Sequence, residues 1–174
     1  ERCWIGVDLS GDGTDATVLT KINKIGQVKQ YVIKGTMDMK YREIATIIDS
    51  SNPIACYLEN NGVGAPMINE IKKLSKLKAR IYEWSTTNSS KEEIITSLAM
   101  AIVNREVHFE NDNKRLYGEL GDFAVSISKS RKMTFAAAHG HDDTVMSLAI
   151  ALRARKDIQA SISKGIGFIN TNNR

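Results

Sequence analysis

The chain has 174 residues, 42% hydrophobic and 25% charged, an ordinary balance for one globular domain with a substantial core. Lys and Arg number 24 against 20 Asp and Glu, a net charge of +4, which is compatible with a polyanionic partner without requiring one. No apolar run approaches the ~20 residues that span a bilayer and no signal peptide opens the chain, so no membrane partner is expected.

The first element is a hairpin. Cys3, Trp4, Ile5 and Val7 lead to Asp8, a Ser-Gly-Asp-Gly-Thr-Asp turn follows, and Ala16, Val18 and Leu19 resume the apolar pattern. Two apolar runs around a Gly-rich turn predict antiparallel strands over about 3–9 and 16–24. Ile25-Gly26-Gln27 signals the next turn, and a third strand is expected at 27–35. Residues 38–50 carry Tyr41, Ile44, Ala45, Ile47 and Ile48 at helical spacing, and Asn52-Pro53 stops that helix. Ile54 to Leu58 reads as a short buried strand ending at Glu59. Asn60 to Gly64 is a turn, and Pro66 fits the first turn of the next helix. That helix keeps Met67, Ile68, Ile71 and Leu74 on one side and Lys72, Lys73 and Lys76 on the other, and 79–84 is another strand.

Ser90-Lys91-Glu92-Glu93 has capping-box spacing and is expected to open an amphipathic helix to about Val103. Its buried face would hold Ile94, Ile95, Leu98, Ala99 and Ile102. Val107-His108-Phe109 is a candidate edge strand, and 112–123 a helix bent or broken near Gly118 and Gly121. A basic loop, Lys129-Ser130-Arg131-Lys132, precedes a short strand at 133–136. His141-Asp142-Asp143-Thr144 then leads into a last strong helix, and a loosely held tail is expected from about 160 to 174. The chain is read as one α/β domain, with a core over about 3–155. Its mixed sheet of five or more strands has an antiparallel meander first and helices on both faces. Cys3 and Cys56, both in predicted buried strands, are read as free thiols of a reducing compartment. Glu1 precedes the first strand with almost no lead-in, as in a domain excised from a longer protein. A processed terminus would look the same.

Three acidic positions stand at element ends: Asp8, Glu59, and the pair Asp142-Asp143. Parallel neighbouring strands put equivalent ends on one sheet edge, where sites in α/β folds form. Carboxylates gathered there cannot all stay ionised without compensation. No Lys or His is expected to neutralise them, and a pair of hard divalent cations, Mg²⁺ or Mn²⁺, suits such a set. The two Cys and three His show no spacing that closes a zinc site. Each acid also has an ordinary use. Asp8 and Asp12 can serve the turn, Glu59 can be an exposed strand-end charge, and Asp142 or Asp143 can cap the helix. His141 reads as a helix-entry residue. Lys72, Lys73, Lys76, Lys78 and Arg80 read as a solvated face and strand entry.

Ile5-Gly6-Val7-Asp8 with Asp15, Leu58-Glu59-Asn60-Asn61-Gly62, and Gly140-His141-Asp142-Asp143 before an apolar helix together resemble the nuclease domain of phage terminase large subunits. The resemblance spans about residues 3 to 155 with the motifs in family order. It implies a ribonuclease H-like fold and a DNA endonuclease that cuts concatemeric double-stranded viral DNA during genome packaging, in the host cytoplasm. It implies two-metal phosphodiester hydrolysis with Asp8 central, and with Glu59 and one or both of Asp142 and Asp143 completing the ligand set. Asp12 and Asp15 are secondary candidates, and Lys129, Arg131 and Lys132 are the expected phosphate contacts. The implied partners are an N-terminal packaging ATPase domain, the terminase small subunit and the portal. No Gly-x-x-x-x-Gly-Lys-Ser/Thr phosphate loop occurs in this chain, so the ATPase is not part of it. A Holliday-junction resolvase of the same fold would use the same acids. An actin-like or sugar-kinase fragment would bind ATP at the Ser10 to Thr14 turn, but it lacks the second Asp-Gly-Gly hairpin.

Overall fold

The period-two patterns resolve, in a computed structural model, into five strands that share one sheet. The structure describes residues 2–11, 16–61, 64–110, 112–127 and 141–163. Strands β1 (Cys3–Asp8), β2 (Thr17–Asn23) and β3 (Val28–Ile33) form the antiparallel meander, and β4 (Ala55–Glu59) and β5 (Ile81–Trp84) extend it in parallel beside β1. The order across the sheet is β3-β2-β1-β4-β5. Val7 pairs with Leu58 in the β1–β4 register, so Asp8 and Glu59, one residue further on, leave the same edge side by side.

Alternation along the strands separates two cores, because successive side chains point to opposite faces. Trp4, Ala55 and Tyr57 face one side, where α3 (Asn88–Val103), α4 (Lys114–Ile127) and α5 (Asp143–Ser163) cover them. Ile5, Val7, Cys56 and Leu58 face the other, against α1 (Met37–Ser51) and α2 (Gly64–Leu74). Cys3 and Cys56 are free and buried.

Helix α5 is buried on every side from Thr144 to Leu152, as expected of a helix wedged between a sheet and other helices. It lies directly on β1. A Cβ at Gly6 would sit 2.2 Å from the Ala151 amide nitrogen and 2.4 Å from the Ser147 carbonyl oxygen, so only a residue without a side chain admits the helix at this distance. Buried bonds add to the seat: the hydroxyls of Thr20 and Ser147 are 2.7 Å apart, and Gln30 Nε2 donates to the Thr144 carbonyl at 2.8 Å.

Several expectations change in detail. Helix α3 opens one turn early: Thr87 is its N-cap, and the capping box is Thr87 with Ser90, whose amide and hydroxyl are both used. Ala99 is exposed, and Ala101 takes the buried place. Ala79 lies in a single 3-10 turn, Lys78–Arg80, that leads into β5. Gly118 and Gly121 neither break nor end α4, which runs through both. His108 makes an isolated bridge to Gln27 at the sheet edge rather than a strand. Helix α5 continues to Ser163, because Ile158 is still packed on the core. The predicted strand at 133–136 and the tail from 164 lie outside the described residues. Among the described residues, no helix is long and apolar enough to cross a membrane.

Candidate active site

Asp8 and Glu59 project side by side from adjacent parallel strand ends, one residue beyond the Val7–Leu58 pair. Asp8 is pushed well above its ordinary value, first by burial, then by the neighbouring Glu59 carboxyl, and further by Asp143 and Asp142. Asn61 Nδ2 donates to Glu59 Oε1 at 2.7 Å and fixes the outer side of that carboxyl. The turn after Asp8 is pinned from α1: the buried Lys40 donates to Ser10 Oγ at 3.2 Å and to the Gly11 carbonyl at 3.1 Å.

A cavity of about 330 Å³ opens over this pair. Asp8, Ser10, Glu59 and Asn61 line it from the strand ends, Thr86, Thr87, Asn88 and Lys91 from the start of α3, and Asp142 and Asp143 from the start of α5. The three acidic positions singled out in the sequence therefore share one cavity.

The two acids of α5 do not cap their own helix. The amides of Thr144 and Val145, which an N-cap side chain would serve, donate instead to Oε2 of Glu119 in α4, at 2.8 and 3.4 Å. The Thr144 hydroxyl donates to the same oxygen at 2.5 Å. The helix-capping explanation of Asp142 and Asp143 is thereby removed.

Nor are these acids without basic neighbours, contrary to expectation. Lys91 Nζ lies 2.8 Å from Asp142 Oδ2, and Arg115 Nη2 lies 2.6 Å from Asp143 Oδ2. Arg115 also holds Glu119 through Nε at 2.7 Å. Asp143 is raised by burial, an effect that Arg115 opposes and Glu119 reinforces. His141 is exposed at the entry to α5, and its charge opposes the rise of Asp143.

Among the described residues, no three acidic, His or Cys side chains form a ready metal cage. Asp142 and Asp143 are drawn toward Lys91 and Arg115, and Asp8 and Glu59 toward each other. The donor chemistry nevertheless fits a hard divalent cation. These are carboxylate oxygens gathered in one cavity, where a cation would offset their mutual repulsion.

Asp12, Asp15, Lys129, Arg131 and Lys132 lie outside the described residues. Lys72, Lys73, Lys76 and Lys78 border a separate hollow at the far end of α2, whose first turn abuts Glu59. Lys72 pairs with Glu83 and Lys73 with Glu70, as on an ordinary solvated face. Lys91, Arg115 and Glu119 escaped the sequence reading. The visible signals were a cation in the first turn of α3, where the helix dipole disfavours it, and the i,i+4 spacing of Arg115 and Glu119.

No protein-family model matches the chain, and no curated protein matches it. Among solved structures, it is similar to the large terminase nuclease from thermophilic phage G20c. With bound zinc that nuclease aligns at a TM-score of 0.66 and 23% identity, and with bound cobalt at 0.67 and 24%. In each case 87% of this chain and 80% of the other are covered. The Fowlpox virus resolvase, in complex with substrate Holliday junction DNA, aligns over 92% of this chain and 98% of its own at a TM-score of 0.39 and 14% identity, too low to carry an argument. The terminase nuclease likeness establishes the fold: a ribonuclease H-like mixed sheet of the kind expected from the three motifs.

Proposed function

We propose that this chain is a divalent-metal-dependent endonuclease of double-stranded DNA that cuts concatemeric viral DNA during genome packaging. One observation carries the reading. Asp8, Glu59, Asp142 and Asp143 line one cavity, at the strand ends of a fold shared with the large terminase nuclease of phage G20c. That nuclease holds zinc or cobalt. For this chain the all-oxygen donors favour Mg²⁺ or Mn²⁺.

Asp8 and Glu59, with Asp142 and Asp143, would hold the ions. Bound there, a pair of divalent cations supplies an activated water and neutralises charge on the leaving 3′-oxygen. The chain's own residues set the stage for it. Asn61 orients Glu59, the Arg115–Glu119 pair fixes Asp143, and Lys40 holds the turn beyond Asp8. Lys129, Arg131 and Lys132 are proposed to contact DNA phosphates, and Asp12 and Asp15 to assist at the turn. In the full packaging machine, the partners would be an N-terminal ATPase domain, the small subunit and the portal, in the host cytoplasm.

The test is cleavage of supercoiled plasmid with Mg²⁺ or Mn²⁺. Conversion to nicked and linear forms is expected, and excess EDTA should abolish it. Cleavage that survives chelation, or that survives Asp8→Asn at full rate, would refute the proposal.

A further inference from the structure

The two acids of α5 are held by bases in unequal ways. Arg115 is locked in place: it binds Asp143 and also Glu119, and Glu119 in turn caps α5. The carboxylate that holds Arg115 through Oε1 thus caps α5 through Oε2. Lys91 has no such tie. Its ammonium is paired with Asp142, with side chains 28% and 27% exposed, where those of Arg115 and Asp143 are 33% and 14% exposed, so what separates the two bases is the tie to Glu119 and not exposure.

Neither helix needs the Lys91–Asp142 pair. Lys91 sits in the first turn of α3, which carries no acidic residue and whose dipole disfavours a cation. Thr87 and Ser90 already cap that helix, and Glu119 already caps α5. A charge placed against local preference, on a cavity wall shared with Asp8 and Glu59, marks a functional position rather than a structural one.

Resting on the nuclease reading above, we propose that Lys91 exchanges partners: it neutralises Asp142 while no divalent cation is bound, and it contacts the substrate phosphate once Asp142 turns to the cation. Lysine suits the task, being a compact point charge on a flexible stem, where arginine's planar fork favours a fixed bidentate pair. Arg115 holds that second kind of post. The cavity that Lys91 lines is also where a phosphate must sit to meet Asp8 and Glu59, so the released ammonium needs no new path. Before the cation arrives, the same ammonium offsets one charge of a wall that would otherwise repel DNA.

The two halves predict opposite effects of one substitution. Lys91→Ala removes a competitor for Asp142, so Mn²⁺ should bind about threefold more tightly, in line with a partly exposed ion pair. It also removes a charge-assisted contact to phosphate, so kcat/KM on duplex plasmid should fall by about tenfold to a hundredfold, with part of the loss in KM. Lys91→Arg should restore much of kcat/KM. Isothermal titration with Mn²⁺ in the absence of DNA reads the first half, and plasmid cleavage at saturating Mn²⁺ reads the second. A melting curve for each variant verifies that it is folded.

Weaker Mn²⁺ binding together with lost cleavage would make Lys91 a structural strut and overturn the proposal. Tighter binding with cleavage unchanged or faster would leave only the competition and overturn the phosphate contact. Unchanged Mn²⁺ affinity would overturn the exchange, whatever the wild type cuts. A wild type that binds Mn²⁺ yet cuts no DNA would sink the nuclease reading, and the phosphate contact with it.

Discussion

Replacing Asp8 with Asn should stabilise the metal-free protein while abolishing the proposed cleavage. Asp8 is partly buried, and burial, Glu59, Asp143 and Asp142 all push its pKa well up. Asparagine keeps the shape and can donate to Glu59, but it brings no charge to desolvate. Two unit charges ~4 Å apart at an effective dielectric constant of ~20 repel by about 4 kcal/mol, which bounds the gain from above. Solvent in the open cavity screens much of this, so a net gain on the order of 1 kcal/mol is expected. In a protein of this size that raises Tm by roughly 2–4 °C. The pH dependence has a definite sign. A carboxyl whose folded pKa is raised above its ordinary 3.8 binds its proton more tightly when folded. Its contribution to stability is therefore complete below the unfolded value and is lost as pH rises through the folded one. In EDTA-treated buffer, the advantage of Asp8→Asn should widen from about pH 4 upward. Adding Mn²⁺ should reverse the order, because ligand binding stabilises only the chain that still binds. The assay is urea or thermal denaturation across that pH range. An Asp8→Asn protein less stable than wild type at every pH, with a constant gap, would mean that Asp8 is held as a structural anion, and the reasoning would fail.

Glu119→Ala should cost about 2–4 kcal/mol in urea denaturation, since it uncaps α5 and strips Arg115 of a partner; a loss under ~1 kcal/mol would show the cap to be dispensable. Gly6→Ala should lower stability by about 3 kcal/mol or more, because its Cβ meets backbone atoms of α5 that cannot rotate away. An unchanged melting temperature would contradict that contact. Replacing Lys129, Arg131 and Lys132 together with Ala should weaken DNA binding across all sequences and flatten its log–log salt slope by up to about 3, measured by anisotropy in an Asp8→Asn background. An unchanged slope would put the DNA path elsewhere.

The sheet was legible because every strand announces itself locally. Trp4, Ala55 and Tyr57 alternate with Ile5, Cys56 and Leu58, and Gly or Pro punctuates the turns between them. The meeting of Asp8 with Glu59 follows from parallel neighbours and needs no side-chain detail. The start of α3 was not readable to the residue. Thr86-Thr87-Asn88-Ser89-Ser90 is a run of good capping residues, and tertiary geometry chooses among them. The bases around α5 were invisible for another reason. Lys91 and Arg115 lie 51 and 28 residues from the acids they bind, and Glu119 lies 25 from the amide it caps. In sequence each is only one more charge on an amphipathic helix. The apparent lack of neutralising bases was thus an artefact of reading charges along the chain instead of across it.

Glu119 and Gly6 together explain how acids on a helix can be placed against acids on a sheet. The absence of a side chain at Gly6 brings the backbone of Ser147 and Ala151 into contact with β1, one and two turns beyond Asp143. That contact fixes how far α5 stands from the strand. Glu119 grips the amides of Thr144 and Val145 from outside the helix, which fixes its first turn. Gln30 and Thr20 then hold Thr144 and Ser147 from the sheet, which fixes its rotation. With distance, end and rotation all set by other elements, the side chains of Asp142 and Asp143 are not needed to cap their own helix. Lys91 and Arg115 hold their carboxylates at the cavity wall instead. A site whose ligands are mounted on packed elements rather than loops is preorganised. Here the preorganisation comes from residues that never touch the cavity.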